Sequence, residues 1–253
     1  MAGRLEGKVA LVTGSTSNIG KGVAIAMAAE GASVVVTGRD AARGAHVVSL
    51  IEAAGGHAAF VAADLDGSPA RSAQLAGDAA AAFGPVTVLV NNAGIYPPDG
   101  TLATHEDIFD RVFAVNVKAP FFLTAAVIPA MVEAGGGVII NLGSWIARLG
   151  IPAGAVYGAT KGALETLTRT WAAEFGAQGI RVNALSPGMV YDDSSDVPAA
   201  PGAAMATTPA GKPGTPADIA AAAVYLASDE AAFVDGAVFD IDGGRSNVFT
   251  TAR

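Results

Sequence analysis

Three side chains near the middle of the chain have the types and the spacing of an acid–base site. Tyr157 and Lys161 are four residues apart and share one face of an expected helix, and Ser144 lies thirteen residues before Tyr157 at a strand end. A phenol with a pKa of about 10 is a poor acid–base catalyst at neutral pH, but an ammonium group one helical turn away favours the phenolate. The hydroxyl of Ser144 can donate a hydrogen bond to a carbonyl oxygen that gains negative charge. Because Tyr-x-x-x-Lys pairs also occur by chance on solvated helix faces, the surrounding chain must decide between these interpretations.

Bulk composition limits the classes of protein to which the chain can belong. Its 253 residues fit one large α/β domain with a substantial core. Only 15% of the residues are charged, against about 25% in typical proteins, which indicates that surface is hidden in subunit contacts. A net charge of −8 without a basic run disfavours nucleic acid and anionic membranes as partners. The absence of cysteine excludes disulfides, thiolate metal sites and a cysteine nucleophile.

The remaining metal-binding and targeting signals are also weak. His46, His57 and His105 do not have the spacing of metal ligands, so we expect no metal. Residues 1–8 lack the apolar core of a signal peptide. The longest apolar stretch, 119–132, contains two prolines and is shorter than the roughly 20 residues of a spanning helix. These observations predict a soluble cytoplasmic protein.

Short β-branched runs alternate with long alanine-rich segments along the whole chain. The runs are almost continuously apolar, as expected for strands of a parallel sheet with helices on both faces. Strict alternation predicts right-handed crossovers and a single α/β domain with a doubly wound, seven-stranded parallel sheet flanked by helices. The expected strands are 9–12, 33–36, 58–61, 86–90, 138–141, 180–183 and 237–241.

Helix-length segments fill the intervals between these strands, except in one region. The clearest are 19–30, 69–83, 107–133, 155–175 and 216–228. Residues 188–216 are instead rich in Pro, Ala, Gly, Ser and Asp and have no periodicity. A long irregular insertion is either a functional lid or a disordered segment. Because it follows the carboxyl end of a strand, where open α/β sheets bind ligands, the lid is favoured.

A glycine-rich turn, Thr-Gly-Ser-Thr-Ser-Asn-Ile-Gly at 13–20, connects the first strand to the first helix. Such a turn directs backbone N–H groups and the helix dipole towards a pyrophosphate. With this turn in place, the chain resembles the short-chain dehydrogenase/reductase family from about Lys8 to Gly244, and among its members the 3-oxoacyl-[acyl-carrier-protein] reductases and carbonyl reductases. The resemblance implies a Rossmann fold over 1–253 and a lid at about 188–216.

The resemblance also implies a nicotinamide cofactor. Asp64 and Leu65 would flank the adenine ring, and residues 92–94 would border the adenosine ribose. The Pro-Gly turn at 187–188 would pack on the nicotinamide, and the backbone of Val190 would bind its carboxamide. The full expected set is Gly14, Thr16, Ser17, Asn18, Ile19, Gly20, Arg39, Asp64, Leu65, Asn92, Ala93, Gly94, Tyr157, Lys161, Pro187, Gly188 and Val190.

Two positions depart from the family pattern. Asn18 replaces the middle glycine of the turn, and asparagine is the residue that best tolerates a left-handed backbone after glycine. The hypothesis for its side chain is a contact with the cofactor phosphates or a weakening of binding by crowding. Asp192 stands where the family often has a phosphate-contacting threonine, and its carboxylate would repel phosphates. With Asp193 and Asp196 it is more typical of a solvated loop than of a substrate site.

The end of the second strand distinguishes between the two nicotinamide cofactors. An acidic residue there binds the ribose 2′-hydroxyl of NAD, whereas an arginine accommodates the 2′-phosphate of NADP. This chain has Gly38 where the family's NAD enzymes carry aspartate, and Arg39 follows it. Asp40 is a counter-argument, although it is equally typical of a helix N-cap. We therefore expect NADP(H) to be preferred, with NAD(H) as the alternative.

The family carries over one role to each residue of the opening constellation. Tyr157 would pass a proton to or from the alcohol oxygen, Lys161 would lower its pKa and hold the nicotinamide ribose, and Ser144 would orient the carbonyl. Asn116 would interrupt a helix and hold a water that leads to the lysine. The expected activity interconverts a ketone or aldehyde with an alcohol, with a small molecule as substrate. The expected substrate pocket is partly aromatic, which favours a bulky or cyclic carbonyl, and comprises Tyr96, Trp145, Ile146, Met189 and Tyr191.

Two alternatives remain open from the sequence. Because Asn18 and Asp192 depart from the pattern, the chain is either an active enzyme or a low-turnover cofactor-binding sensor or scaffold. Apolar helices at 107–133 and 155–175 match those that pair across a dimer axis in the family. Because C-terminal strands complete a tetramer in the family, we expect a homotetramer.

Overall fold

The protein contains one parallel sheet of seven strands, in the order β3-β2-β1-β4-β5-β6-β7. The structure, a computed structural model, describes residues 3–152, 154–192 and 208–248. The strand order reverses between β1 and β4, and this reversal opens a crevice at the carboxyl ends of the strands. The predicted fold class is confirmed. The strands are β1 (Val9–Val12), β2 (Ser33–Gly38), β3 (His57–Ala62), β4 (Val88–Asn91), β5 (Gly137–Leu142), β6 (Ile180–Pro187) and β7 (Val238–Ile241).

Helices cover both faces of the sheet, each face with its own apolar cluster. On one face, Met27 and Ile219 belong to helices that pack together against the sheet. On the other face, Leu75, Leu123 and Trp171 are almost completely buried. The helices are α1 (Asn18–Ala29), α2 (Ala41–Ala53), α3 (Pro69–Phe83), α4 (Glu106–Phe113), α5 (Ala119–Glu133), α6 (Ala155–Phe175) and α7 (Pro216–Ala227).

Helices α4 and α5 are joined without a break by a π-helical turn, Ala114–Lys118. The resulting 28-residue helix, Glu106–Glu133, is long and apolar enough to cross a membrane by length and composition. This helix is longer than the apolar stretch 119–132, which by itself was too short to predict a membrane-spanning helix. Leu123 and Met131 on this helix are fully buried against the sheet, as in a core helix of a globular domain. The cytoplasmic location stays a prediction.

Strand β6 is longer than the sequence indicated. Residues 184–187 continue the strand because they pair with residues 238–241 of β7, a contact between segments distant along the chain. The expected lid starts directly after this strand, and residues 193–207 of it lie outside the described residues. Its described ends meet: Tyr191 N–H donates to the carbonyl of Gly214, and Gly214 N–H donates to that of Met189, both at 2.9 Å.

Candidate active site

A cavity of about 510 Å³ opens where β1, β2 and β4 end. Thirteen of the residues expected to hold a cofactor line it: Gly14, Thr16, Ser17, Asn18, Ile19, Gly20, Arg39, Asp64, Leu65, Asn92, Ala93, Gly94 and Tyr157. Lys161, Pro187, Gly188 and Val190 do not line this cavity. Thr37, Gly38, Arg43, Ala63, Ile95, Arg111 and Val115 also line it but were not in the expected set. Arg43 could have been found from its place one turn after Arg39.

The glycine-rich turn keeps the backbone path that the sequence required. Asn18 has a φ of 45°, and it is the only non-glycine residue with a positive φ in the described ranges. Its amide oxygen Oδ1 is buried without a hydrogen-bond partner in this part of the structure. A ligand with hydroxyl donors would satisfy that oxygen. If the side-chain amide rotates by half a turn about its last bond, Nδ2 instead faces the cavity and can donate to a phosphate.

Asn92, directly after β4, stabilises the glycine-rich turn through side-chain hydrogen bonds. Nδ2 of Asn92 donates to the carbonyls of Thr13 at 2.8 Å and Gly14 at 3.1 Å. A Cβ atom at Gly20 would lie 2.4 Å from the Gly14 carbonyl oxygen and 2.5 Å from Nδ2 of Asn92, so only glycine fits there. The side chain of Ser17, the N-cap of α1, makes no capping hydrogen bond. The first-turn N–H groups of α1 thus suit an anionic ligand such as a dinucleotide pyrophosphate.

The end of β2 carries a basic group and no acidic partner for a ribose. Asp40 is the N-cap of α2, where its carboxylate accepts from the backbone N–H of Arg43 at 3.0 Å. The same carboxylate binds Nε of Arg43 at 2.9 Å. These hydrogen bonds, the backbone one first, lower the pKa of Asp40. The structure thus favours the N-cap interpretation of Asp40 over a ribose contact.

Lys161 is completely enclosed on α6. Its Nζ donates to the carbonyl oxygen of Leu142, at the end of β5, at 2.6 Å. Burial lowers the pKa of Lys161 to about 8. The side chain therefore remains predominantly cationic at pH 7, although its charge is much easier to remove than that of a surface lysine.

Tyr157 lies on the same face of α6, one turn before Lys161. Nζ of Lys161 is 5.5 Å from the centre of the phenol ring. Burial raises the pKa of Tyr157, and a side-chain hydrogen bond with Ser144 opposes that rise. The sequence predicts a lowered pKa for Tyr157, and the structure shows a raised one. The reason is that desolvation of the phenolate is the largest effect on this group.

Asn116 ties three segments together around Lys161. It lies in the π-helical turn and is completely buried. Its Oδ1 accepts from Ile95 N–H at 2.9 Å, and its Nδ2 donates to the Ile95 carbonyl at 3.0 Å and to Oγ1 of Thr160 at 3.1 Å. A Cβ atom at Gly94 would be 3.3 Å from that Oδ1 and 3.7 Å from Nζ of Lys161. The loop after β4, the π-helical turn and α6 therefore converge at the lysine.

The comparisons with known proteins agree with this geometry. The sequence profile described as enoyl-(acyl carrier protein) reductase matches residues 14–246. The chain belongs to the short-chain dehydrogenase/reductase family. It is 40% identical over 250 residues to the 2,5-dichloro-2,5-cyclohexadiene-1,4-diol dehydrogenase LinX of Sphingobium indicum, covering 97% of this chain and 99% of LinX.

Two solved structures of the family are similar over nearly the whole chain. A gluconate 5-dehydrogenase from Burkholderia cenocepacia, in complex with NADP and tartrate, has a TM-score of 0.90 at 32% identity and covers 97% of both chains. A blue fluorescent protein from a metagenomic library, in complex with NADPH, has a TM-score of 0.89 at 35% identity, covering 97% of this chain and 100% of its own. This family member is an oxidoreductase that acts on alcohol and carbonyl groups.

The family's threonine position is occupied by a paired carboxylate. Asp192 was expected to repel cofactor phosphates, but its Oδ2 lies 3.6 Å from Nζ of Lys21 in the first turns of α1. The lysine places a positive charge beside the carboxylate, which reduces that repulsion. Asp193 and Asp196 lie outside the described residues. The described residues also hold no group of three or more potential metal ligands, and the absence of a metal stays a prediction.

The residues expected to form the substrate pocket lie in three places. Tyr96 packs edge-on against Tyr157, with ring centres 4.8 Å apart, and Ile146 lies beside Gly158 of α6. Trp145 is buried beneath the guanidinium of Arg245, 4.5 Å from its ring centre. Arg245 was not predicted, since no local pattern links it to Trp145. Met189 and Tyr191 lie at the stem of the expected lid, where their backbones bond to Gly214.

A buried polar ladder beneath the site was also not predicted. Nδ2 of Asn91 donates to Oδ1 of Asn141 at 2.9 Å, and Nδ2 of Asn141 donates to Oγ1 of Thr168 on α6 at 2.9 Å. These bonds connect β4 and β5 to α6, the helix that carries Tyr157 and Lys161. Asn91 is the last residue of β4 and Asn141 the last but one of β5, and an asparagine near the end of an apolar strand was the available signal in the sequence.

Proposed function

We propose that the protein is an NADP(H)-dependent oxidoreductase that interconverts a ketone or aldehyde with an alcohol, using Tyr157, Lys161 and Ser144 for acid–base catalysis. One observation carries this proposal. Tyr157 lines the dinucleotide-sized cavity, lies close enough to Ser144 for the serine hydroxyl to oppose the rise of its pKa, and has Lys161 one turn away on the same helix. Acid, orienting donor and cation are thus assembled at the edge of the cavity.

Each residue has a distinct proposed role. Tyr157 protonates the carbonyl oxygen in reduction and deprotonates the alcohol in oxidation. Ser144 orients the substrate oxygen and stabilises its developing charge, and Lys161 stabilises the phenolate electrostatically. Asn116 positions Lys161 through the loop after β4 and Thr160. When bound, the nicotinamide donates or accepts the hydride.

The cofactor preference rests on the end of β2. Arg39 and Arg43 line the cavity, and Gly38 supplies no carboxylate for a ribose 2′-hydroxyl. The two similar solved structures contain NADP and NADPH, which supports the same preference. Arg39→Asp should reverse the preference between NADP and NAD. If the ratio of kcat/KM with NADP(H) to kcat/KM with NAD(H) is the same in the variant as in the wild type, the assignment is refuted.

The experiment that tests the activity follows NADPH oxidation over a panel of ketones, aldehydes and oxoacyl thioesters, with NADH in parallel. Turnover of at least one carbonyl compound is the expected result. Tight cofactor binding without turnover of any compound would instead favour the sensor or scaffold alternative. Two observations support the enzyme over that alternative: Asn18 has a glycine-like left-handed backbone, and Asp192 pairs with Lys21.

Four further properties belong to the proposal. The substrate is a bulky or cyclic compound, because the residues expected around it are partly aromatic and Tyr96 lies edge-on beside Tyr157. Residues 188–216 act as a lid in a single domain. The protein is cytoplasmic and forms a homotetramer, in which apolar side chains that are about half exposed, Phe109 on α4 and Phe121 on α5, are covered. Light scattering that shows a monomer would contradict this assembly.

A further inference from the structure

The end of β2 packs so closely on the glycine-rich turn that residue 38 has no room for a side chain. A Cβ atom at Gly38 would lie 2.7 Å from Cγ2 and 3.0 Å from Oγ1 of Thr16. Threonine is branched at Cβ, and rotation about χ1 exchanges its two substituents instead of clearing the space. Glycine at position 38 is therefore coupled to threonine at position 16, although the two are far apart in the sequence.

This contact lies at the position that recognises the 2′ substituent of the cofactor's adenosine ribose. The acidic residue that selects NAD in dinucleotide-binding folds extends from the end of the second strand, the position of Gly38. Any carboxylate built there must first displace Thr16. Thr16 therefore disfavours the acidic residue of NAD-binding sites by steric overlap alone. This effect is independent of any attraction between the site and a phosphate.

The same corner of the cavity has donors suited to a phosphate monoester. Thr16, Arg39 and Arg43 all line it. Asp40 binds Arg43 through Nε, and a guanidinium has further N–H donors on its terminal nitrogens. The other carboxylate of this corner, Asp64, has Arg71 at 3.8 Å. Two guanidinium groups and a hydroxyl are complementary to a dianionic phosphate.

We propose that Thr16 is a second determinant of cofactor selection. It excludes a carboxylate at position 38 by steric overlap, and it presents its hydroxyl with Arg39 and Arg43 to the 2′-phosphate of NADP(H). The inference rests on the proposed function, and it adds that Gly38→Asp alone cannot produce an NAD-binding site. Thr16 must be reduced in size at the same time.

A double-mutant cycle tests the coupling. Dissociation constants of NADPH and NADH are measured by nicotinamide fluorescence for wild type, Thr16→Gly, Gly38→Asp and the double variant. Gly38→Asp should weaken NADH binding about tenfold or more through overpacking. The double variant should regain at least that factor for NADH and bind NADH more tightly than NADPH. Gly77→Asp is the matched control, because a Cβ at this exposed position meets nothing within 4 Å.

The outcomes separate the inference from the proposed function. If wild type binds neither cofactor, or prefers NADH, the proposed NADP(H) function fails. If wild type prefers NADPH but the effects of the two substitutions are additive for NADH, the inference alone fails. Thermal unfolding without cofactor shows whether each variant is folded.

Two single variants test the inference even if Gly38→Asp does not fold. Thr16→Val keeps the shape of the side chain and removes the hydroxyl, and Arg43→Met removes the guanidinium. We expect Thr16→Val to weaken NADPH binding several-fold and Arg43→Met about tenfold, with NADH binding unchanged. Equal effects on both cofactors, or no effect of Thr16→Val on NADPH, would overturn the role of Thr16 in phosphate binding.

Discussion

The glycine-rich turn and the face of α6 that carries Tyr157 and Lys161 contribute to the proposed site by different means. The turn at 13–20 acts through backbone geometry: Gly14 and Asn18 have positive φ angles, and Gly20 lies against backbone and the Asn92 amide. On α6 the backbone is regular, and the proposed chemistry depends on the side-chain atoms of Tyr157 and Lys161.

The difference shows what each region tolerates. The turn accepts Asn18 in place of the usual glycine because asparagine can adopt the left-handed conformation. The proposed role of Tyr157 allows no such substitution, since proton transfer would require its hydroxyl. Substitutions in the turn should therefore affect binding and stability, whereas substitutions at the catalytic residues should affect turnover.

The largest expected effect is that of Tyr157→Phe. Removing the phenol hydroxyl should lower kcat by about 10²–10⁴-fold, because the general acid–base is lost, while the dissociation constant of the cofactor stays within about twofold. Stopped-flow or steady-state kinetics and fluorescence titration measure the two quantities. Tyr96→Phe is the control, since its ring can still pack against Tyr157, and it should retain most of the activity. Wild-type kcat in Tyr157→Phe would remove the central catalytic assignment.

Lys161→Met should lower the activity of the protein and raise its free energy of unfolding. Burial lowers the pKa of Lys161 from 10.5 to about 8, so the enclosed charge costs about 3 kcal/mol below pH 8. Loss of the hydrogen bond to the Leu142 carbonyl offsets about 1 kcal/mol, and at pH 7 the variant should be more stable than wild type by about 2 kcal/mol.

The pH dependence distinguishes this cause from better packing. Between pH 8 and 10.5 the unfolded chain binds more protons at Lys161 than the native state, so wild-type stability rises with pH relative to the variant. Denaturant unfolding of both proteins across this window measures the difference. A stability difference that is independent of pH would show that the buried charge is not its source.

Gly20→Ala should damage the turn without touching a catalytic atom. The added Cβ overlaps the Gly14 carbonyl and the Asn92 amide, which should cost about 1–3 kcal/mol of stability and weaken cofactor binding. Gly162→Ala on α6 is the matched control, because its Cβ meets nothing within 4 Å and alanine favours a helix by about 1 kcal/mol. Equal unfolding free energies for the two variants would contradict the role of Gly20.

The smallest expected effect concerns Asn18. Asn18→Ala should lower the free energy of unfolding by about 1 kcal/mol, because the left-handed conformation is unfavourable for alanine. Asn18→Gly should change the free energy of unfolding by less than about 0.5 kcal/mol, because glycine adopts this conformation readily. Thermal unfolding without cofactor measures this backbone effect. Cofactor titration of Asn18→Gly then measures the amide alone, and an unchanged dissociation constant would show that the amide neither contacts nor crowds the phosphates.

Several elements could be predicted to the residue. Helices α3 and α6 begin and end where the sequence indicated, because Pro69 sits at the first turn of α3 and Gly84 and Gly154 flank helix ends. The π-helical turn was not predicted as such, since residues 114–118 have no local signal that distinguishes them from an α-helix. The family's asparagine, Asn116, marked its place without revealing its partners Ile95 and Thr160.

By itself, the sequence determined the order of strands and helices, and it supplied the glycine-rich turn and the residues that we propose for acid–base catalysis, because periodicity and short motifs are local properties. Only the tertiary structure decided the raised pKa of Tyr157, the pKa of Lys161 near 8, and the pairing of Asp192 with Lys21. It also decided the contact of Thr16 with position 38. Desolvation and contacts between distant segments produce these properties, and neither exists until the chain is folded.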